Sequence, residues 1–430
     1  MAKKIKAIQC PQCGSTDHRL LKDDYYKCLN CGTNYILDND DINVNITHRV
    51  EKQNVPQVNP KAAIGIIAGI LIFITLIIVV PFFLKSGGSG VFKTRFKGRA
   101  VISKPVNIQN KLYILALTQS GQGDGPKDIY AEFLDVEKNE VVKSEKIESL
   151  NKISSFDSKA RRFSDGKLYI TVNKQRILVV SNKSLEVTDI TDTLFEGDSL
   201  YTAGVVNAEI YGSYGDSFKV MNGMGREYYY YPLVKKSYPT DKIHSFTSDK
   251  KYLNSAAKDS IVYLFTEKSS SSIQMDVSEE FKLLKVIYTS NTGDIQNNYF
   301  RARWEKVFGK NKNELEISVK HLVSYTDLTP GRIYFNPKII YFDNDRIFVW
   351  ITTNASDQSE RILQRLDAKT GELVWSVPIE TKSGRYVHFY DQALFASGTL
   401  IMTLNNTEYF TIDDNGKNIK YFNLYGTDRM

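Results

Sequence analysis

Leu366-Asp-Ala-Lys-Thr-Gly-Glu-Leu-Val-Trp375 holds the pattern that decides the fold. Asp367 and Thr370-Gly371 are the residue types of a tight polar turn between two strands, and Trp375 on the second strand is placed to pack between neighbouring sheets. Upstream lies Arg346-Ile-Phe-Val-Trp-Ile351, a short run of β-branched and aromatic residues with a period of two. The same strand type recurs at Lys111-Leu-Tyr-Ile-Leu-Ala-Leu117, Lys167-Leu-Tyr-Ile-Thr-Val172, Ser260-Ile-Val-Tyr-Leu-Phe265 and Leu400-Ile-Met-Thr-Leu404. Asp165-Gly166, Asn344-Asp345 and Ser397-Gly398 are polar turns ahead of three of these runs. No amphipathic pattern of helix length interrupts the C-terminal half, which reads as all-β or nearly so.

A turn, an apolar strand, a second strand ending near Asp or Asn, a polar turn and a third strand recur in that order. The clearest copies are Phe163 to Thr188, Ile340 to Pro378 and Leu394 to Leu424, with fainter ones at Val106 to Ile147 and Ser260 to Tyr288. A repeat of roughly 40 to 55 residues matches the blade of a β-propeller, whose four-stranded sheet buries its faces only by stacking on its neighbours. About 340 residues divided by about 45 gives seven or eight blades. The irregular stretches Asn222 to Pro239 and Asn291 to Thr329 allow six. An array of β-sandwiches is the alternative. The stretch 366–375 resembles the repeat of quinoprotein-like propellers, whose motif ends in Thr-Gly-x-x-x-Trp, while Asn139 and Asn182 stand near the Thr-Gly position elsewhere with no Trp. The resemblance implies the architecture. In that family it would also imply a metal-bound quinone, in many members held by a disulfide, yet residues 85–430 contain no cysteine. No catalytic and no cofactor-binding residue is assigned.

All four cysteines fall in the first 31 residues, as Cys10-Pro-Gln-Cys13 and Cys28-Leu-Asn-Cys31. Two such knuckles supply four soft ligands at tetrahedral corners, the requirement of a structural Zn2+ site with no vacancy for catalytic water. Gly14 and Gly32 follow the knuckles and allow the left-handed turns that aim main-chain N–H groups at the sulfurs. Tyr25-Tyr26-Lys27 and Asn34-Tyr35-Ile36-Leu37 read as strands of a small hairpin. The pattern resembles the zinc-ribbon family over about residues 8–38. Two disulfides or four unrelated thiols are the alternatives.

Ala62 to Leu84 runs twenty-three residues without a charge. A helix rising about 1.5 Å per residue would be roughly 35 Å long there, enough to cross a hydrocarbon core of about 30 Å. Gly65 and Gly69 are spaced to let two such helices approach closely. The expected order is a zinc ribbon (1–38), a polar linker (39–61), a transmembrane helix (62–84), a Gly/Ser spacer (85–90) and the propeller (91–430).

Orientation rests on opposed signals. Arg49, Lys52 and Lys61 precede the span, and Lys85, Lys93, Arg95, Lys97, Arg99 and Lys104 follow it, so flanking charge alone would put the C-terminal side in the cytoplasm. Zinc thiolates instead persist best in a reducing compartment, and the cysteine-free remainder fits an oxidising one. Long C-terminal domains also translocate largely regardless of flanking charge. The expectation is a cytoplasmic N-terminus and an extracytoplasmic propeller.

The formal charge of +7 is spread thinly. Residues 1–61 hold nine Lys or Arg against seven Asp or Glu, a net +2 that a four-thiolate zinc site would roughly cancel. That disfavours nucleic acid as a partner, since reading phosphates takes a concentrated basic patch. The alternating run Lys93, Arg95, Lys97 and Arg99 fits either lipid head groups or a solvated stem strand. His244, His321 and His388 have no ligand-spaced partner, and Asp343-Asn-Asp345 and Asp413-Asp-Asn-Gly416 read as hairpin turns rather than calcium loops. Gly121-Gln-Gly-Asp-Gly125 fits a mobile loop better than a phosphate cradle. Tyr228-Tyr-Tyr-Tyr231 would form either an exposed platform or inter-blade packing, the second being favoured.

The functional expectation is a membrane-anchored binding or scaffold protein. The lipid bilayer, a protein or envelope ligand on the propeller and a cytoplasmic protein on the ribbon are its expected partners; similar propellers act as scaffolds in envelope protein assembly, which the resemblance implies. The rivals are a propeller enzyme, as a degenerate quinoprotein or a hydrolase, and a sensor whose ribbon contacts nucleic acid or transcription machinery.

Overall fold

The structure is a computed structural model that describes residues 10, 16–22, 25–29, 34–36, 92–93, 96–120, 127–150, 156–250, 253–268, 281–306, 313–354, 360–379, 393–405 and 408–424. Three strands near the N-terminus, β1 (His18–Lys22), β2 (Tyr25–Cys28) and β3 (Asn34–Ile36), form one antiparallel sheet. The two strands read from the sequence are there, and β1 is an addition to them. The linker, the apolar stretch Ala62 to Leu84 and the spacer lie outside the described residues. Among the described residues no helix is long and apolar enough to cross a membrane.

The C-terminal part is a six-bladed β-propeller, opened by the two-residue strand β4 (Phe92–Lys93). Blade 1 is β5 (Arg99–Ile108), β6 (Lys111–Gln119), β7 (Ile129–Asp135) and β8 (Glu140–Lys146). Blade 2 is β9 (Ser158–Arg162), β10 (Leu168–Val172), β11 (Arg176–Val180) and β12 (Val187–Asp189). Blade 3 is β13 (Val205–Tyr211), β14 (Ser217–Asn222), β15 (Glu227–Tyr231) and β16 (Lys236–Pro239), followed by the one described α-helix, α1 (Ile243–Ser248). The next strands are β17 (Lys258–Phe265), β18 (Glu267–Lys268), β19 (Leu283–Ser290), β20 (Arg301–Lys306), β21 (Asn313–Ser318) and β22 (Leu322–Asp327). Of these, β17, β19 and β22 make blade 4, and β18, β20 and β21 a separate small sheet. Blade 5 is β23 (Lys338–Phe342), β24 (Arg346–Thr352), β25 (Arg361–Asp367) and β26 (Leu373–Pro378). Blade 6 is β27 (Ala393–Ala396), β28 (Thr399–Asn405), β29 (Glu408–Asp413) and β30 (Lys420–Asn423), with β4 added in parallel to its outer edge.

The first strands of blades 2 and 3, 4 and 5, 5 and 6, and 6 and 1 approach one another, so each blade starts at the axis and works outward. Alternation along the middle strands builds the ring. On β6, Leu112 and Ile114 pack with Ile401 and Tyr409 of blade 6, whereas Leu115 and Leu117 pack with Leu168 and Ile170 of blade 2. On β24, Ile347, Val349 and Ile351 face blade 4, and Phe348 and Trp350 face blade 6. A blade buried on both faces therefore takes apolar residues at consecutive positions, each burying about 1.5–3 kcal/mol of side chain against its neighbour.

The division of length by blade period overcounts, because the sheet of β18, β20 and β21 adds residues to blade 4 without adding a blade. The stretch Asn222 to Pro239, read as irregular, is the outer half of a regular blade 3. Its tyrosines settle in inter-blade packing. Tyr230 stands against Phe195 and Tyr201, and Tyr229 and Tyr231 share the opposite face with Ile243 and Ile295. Of the basic run, Lys93 lies in β4 and Arg99 opens β5, an arrangement that fits the stem-strand reading.

Candidate functional site

The hairpins that join first to second strands, and third to fourth strands, gather on one face of the ring. Turn chemistry fixes that face. Asp367 Oδ1 accepts the main-chain N–H groups of Lys369 and Thr370, both at 2.8 Å, and Gly371 follows at φ +75°, a conformation that suits glycine. Asp135 repeats the device in blade 1, accepting from Glu137 and Lys138. Asp413 does so in blade 6, accepting from Asn415 and Lys417. In blade 2 a serine substitutes, as Ser181 Oγ accepts from Lys183 and Ser184. Asp343 serves the inner hairpin of blade 5. The acidic stretches read as hairpin turns are hairpin turns.

Trp375 packs on Phe348 with ring centroids 5.8 Å apart and donates its indole N–H to the Asp414 carbonyl at 2.8 Å. It thus bridges blades 5 and 6, as its place in the motif predicts. A Cβ on Gly416 would lie 2.8 Å from the Trp375 ring, which explains the glycine in that turn. Arg346 Nε reaches Asp414 Oδ1 at 2.9 Å and Arg365 Nε reaches the same oxygen at 2.8 Å, while the Arg346 guanidinium lies 4.4 Å over the Phe395 ring.

Two features of this face offer binding chemistry. The first is a cluster on the innermost strands. Arg162, at the end of β9, donates to the Pro105 carbonyl of blade 1 and the Gly166 carbonyl of its own turn, each at 2.9 Å. Burial holds its guanidinium below the usual arginine range, against the opposing influence of Tyr341 and Asp165. Tyr341 of β23 is pushed up to about 12, by burial first and by Asp343 second. Arg162 and Tyr341 stand on blades 2 and 5, and each acts on the other's ionisation through its charge rather than through a direct bond.

The second is a groove of about 410 Å³ between blades 6 and 1. Lys111, Glu137, Ser397, Thr411, Asp413 and Lys420 contribute to its walls. Lys111 Nζ lies 2.7 Å from Asp135 Oδ2. Burial opposes ionisation of Asp135, but the Lys111 ammonium and the turn N–H groups outweigh it and hold the carboxyl below the usual carboxylate range. Ser397 Oγ donates to the Asn110 carbonyl across the two blades. Behind the groove Tyr409 OH donates to Ser103 Oγ at 2.7 Å in a buried contact.

A smaller void of about 10 Å³, lined in part by Tyr288, Asn291, Lys320 and His321, has room for about one water molecule. Burial, then Lys250 and Lys320, lowers the His321 imidazole below its usual range. His244 is an exposed residue of α1, and His388 and Gly121–Gly125 lie outside the described residues. The groove and the axial cluster escaped the sequence reading, because their residues come from strands up to hundreds of positions apart.

The proposed zinc ligands divide. Cys10 and Cys28 are described and buried, with Cys28 closing β2, whereas Cys13 and Cys31 lie outside the described residues. Among the described residues no three metal-ligating side chains converge. Gly371, Gly416 and the Asp-capped turns are structural; the groove walls carry polar and charged groups suited to binding.

No family model matches the chain, and no curated protein matches it in sequence. Among solved structures it is similar to the β-propeller domain of the Trilobed protease from Pyrococcus furiosus, at 13% identity and a TM-score of 0.27 over 75% of this chain and 84% of that one. It is also similar to YCF48 from Cyanidioschyzon merolae, at 12% identity and a TM-score of 0.25 over 77% of this chain and 88% of that one. Neither likeness bears on function; the six-bladed ring stands on its own strand topology.

Proposed function

We propose that this chain is a membrane-anchored recognition protein: a propeller that binds a protein or cell-envelope ligand on its turn face, tethered by a helix over Ala62–Leu84 to an N-terminal zinc ribbon. The observation that carries the binding reading is the groove between blades 6 and 1, about 410 Å³ in volume, set in a face whose turns are locked by their own carboxylates. A rigid scaffold presenting a polar-walled groove is suited to recognition, since little ordering entropy is lost on binding. Cys10, Cys13, Cys28 and Cys31 would hold Zn2+, and the burial of Cys10 and Cys28 beside a three-stranded sheet supports that donor set. The ion would be structural. The quinone-enzyme alternative keeps only its architecture, since the cysteine-free propeller lacks the disulfide found in many of those enzymes.

The ribbon faces the cytoplasm and the propeller lies outside in this reading. One observation favours a second arrangement, with both modules on the same side: Lys27 Nζ lies 3.6 Å from Glu360 Oε2. Both side chains are exposed, and such a pair contributes about 0–1 kcal/mol, which is small beside the cost of leaving a 23-residue apolar run in water. Protease treatment of intact cells carrying a tag after Met430 separates the two. Loss of the tag from outside is expected; protection until lysis would put the propeller in the cytoplasm and refute the envelope partner.

A further inference from the structure

Blade 4 is incomplete in a specific way. In blades 1, 2, 3, 5 and 6 the third strand is largely buried and is followed by a fourth. In blade 4 the third strand, β22, is the last of its sheet among the described residues, and Leu322 to Thr326 are all exposed, Val323 by 54% and Tyr325 by 47%.

The outer edges of the other blades, and β21, carry devices that prevent strand addition. Charges line β8 (Glu140, Lys143, Glu145, Lys146) and β21 (Glu314, Glu316); β12 has three residues; β16 and β26 end in Pro239 and Pro378; β30 is covered by β4. β22 reads Leu-Val-Ser-Tyr-Thr-Asp, β-prone and uncharged until its last residue. A register shift at Val323 ends the regular edge at one side and leaves Ser324–Leu328 free to pair. Leu328 N–H donates inward to the Leu283 carbonyl, so by alternation Thr326 and Ser324 also bond inward, while Tyr325 and Asp327 turn their N–H and C=O groups outward.

We propose that this edge pairs with the same edge of a second copy, antiparallel about a two-fold axis at Thr326. Tyr325 then stands opposite Asp327 of the other copy, and the two outward residues on each strand exchange four main-chain hydrogen bonds. The pairing is self-complementary. No like charges meet, and each exposed phenol faces a carboxylate that can accept from it. Each copy supplies a fourth strand to the other's blade 4, which has three among the described residues.

The register makes the test specific. At the two-fold, the paired Thr326 residues form a non-hydrogen-bonded pair with Cα atoms about 4.5 Å apart, within disulfide reach. The two copies of Ser324, each facing Leu328, lie about 14 Å apart and cannot be joined. Full-length Thr326→Cys and Ser324→Cys variants are oxidised with copper phenanthroline in membranes, beside wild type as a control for the four N-terminal cysteines. A dimer band with Thr326→Cys alone is expected. No band, equal bands from both variants, or a cross-link to a different polypeptide would each overturn the proposal. Light scattering on the full-length protein in detergent gives a second readout: Thr326→Lys places two ammonium groups at the axis and is expected to weaken dimerisation at least tenfold while the far-UV circular dichroism is kept. A wild type that is monomeric at every concentration also refutes it. Recovery of the chain in the soluble fraction would refute the membrane anchor instead, and leaves the cross-linking result to judge the edge.

Discussion

Replacing Tyr409 by phenylalanine removes one oxygen from the seam where the ring closes. Tyr409 is wholly buried among Leu112, Ile114, Ile401 and Phe422, and its hydroxyl donates at 2.7 Å to Ser103 Oγ, 306 positions earlier in the chain. The phenyl ring of the variant would keep every apolar contact, so no cavity larger than one oxygen opens. A neutral hydrogen bond contributes about 0.5–1.5 kcal/mol net, and burying its partner without a bond raises the cost to about 1–3 kcal/mol. With Thr403 also bonded to this hydroxyl, the expected loss is about 1–2 kcal/mol. Urea unfolding of the full-length protein, followed by the fluorescence of Trp350 and Trp375 at the seam of blades 5 and 6, measures it. The decisive form is a double-mutant cycle with Ser103→Ala. If the bond helps to close the ring, the two changes together cost less than their sum by about 0.5–1.5 kcal/mol. Strict additivity, within about 0.3 kcal/mol, would show that blades 6 and 1 are not coupled through these groups.

Three further outcomes are expected. Gly371→Ala forces a side chain into a backbone at φ +75° and against the Leu328 carbonyl, and is expected to destabilise the domain by about 2 kcal/mol or more, read as a lowered urea midpoint; an unchanged midpoint would refute the turn geometry. Metal analysis of the full-length chain should find one zinc, lost in Cys28→Ser together with protease resistance of the N-terminal module; retained zinc would refute the four-thiolate site. His321 has a folded-state pKa below its ordinary 6.5, so its neutral form suits the fold, and its contribution is fully present above 6.5 and lost as pH falls from there through the lowered folded-state value. His321→Gln should flatten the stability profile between pH 7 and 5, and an identical slope in both proteins would sink that assignment.

The strands were legible because the inner strands of a propeller blade carry long runs of apolar and aromatic residues, and the five runs quoted from sequence fall in β6, β10, β17, β24 and β28, four of them second strands and one, β17, a first strand. Asp367 and Gly371 were legible because their types have few uses outside a turn. Blade 3 was not legible. Tyr228 to Tyr231 offers the same residue to both faces, so the period-two signal vanishes when both faces are buried. Blade number was hidden by the sheet of β18, β20 and β21, which lengthens the chain without adding a repeat. The axial cluster was hidden for a topological reason. Arg162 bonds a carbonyl 57 positions away and sits near Tyr341, and no local spacing encodes either partner.

The acidic turns also explain what kind of ligand the turn face suits. Asp135, Asp367 and Asp413 bring three carboxylates to this face, the last from a stretch whose sequence reads as a hairpin turn rather than a calcium loop. Each is already committed: Asp413 accepts the Asn415 and Lys417 main-chain groups on one oxygen and Asn418 Nδ2 on the other at 2.6 Å, and Asp135 holds two turn N–H groups and Lys111. A metal would have to displace those bonds, each worth about 1.5–3 kcal/mol to a charged acceptor. With Lys111 paired to Asp135, the charged groups of the groove walls are Glu137, Asp413 and Lys420, of which Asp413 is already hydrogen-bonded by its own turn, beside hydroxyls such as Thr399 and Thr411. That net charge is small, so a ligand in the groove would be selected mainly by shape and hydrogen bonding. Binding on that face should accordingly vary little between low and physiological salt, unlike the steep dependence of a phosphate-reading surface.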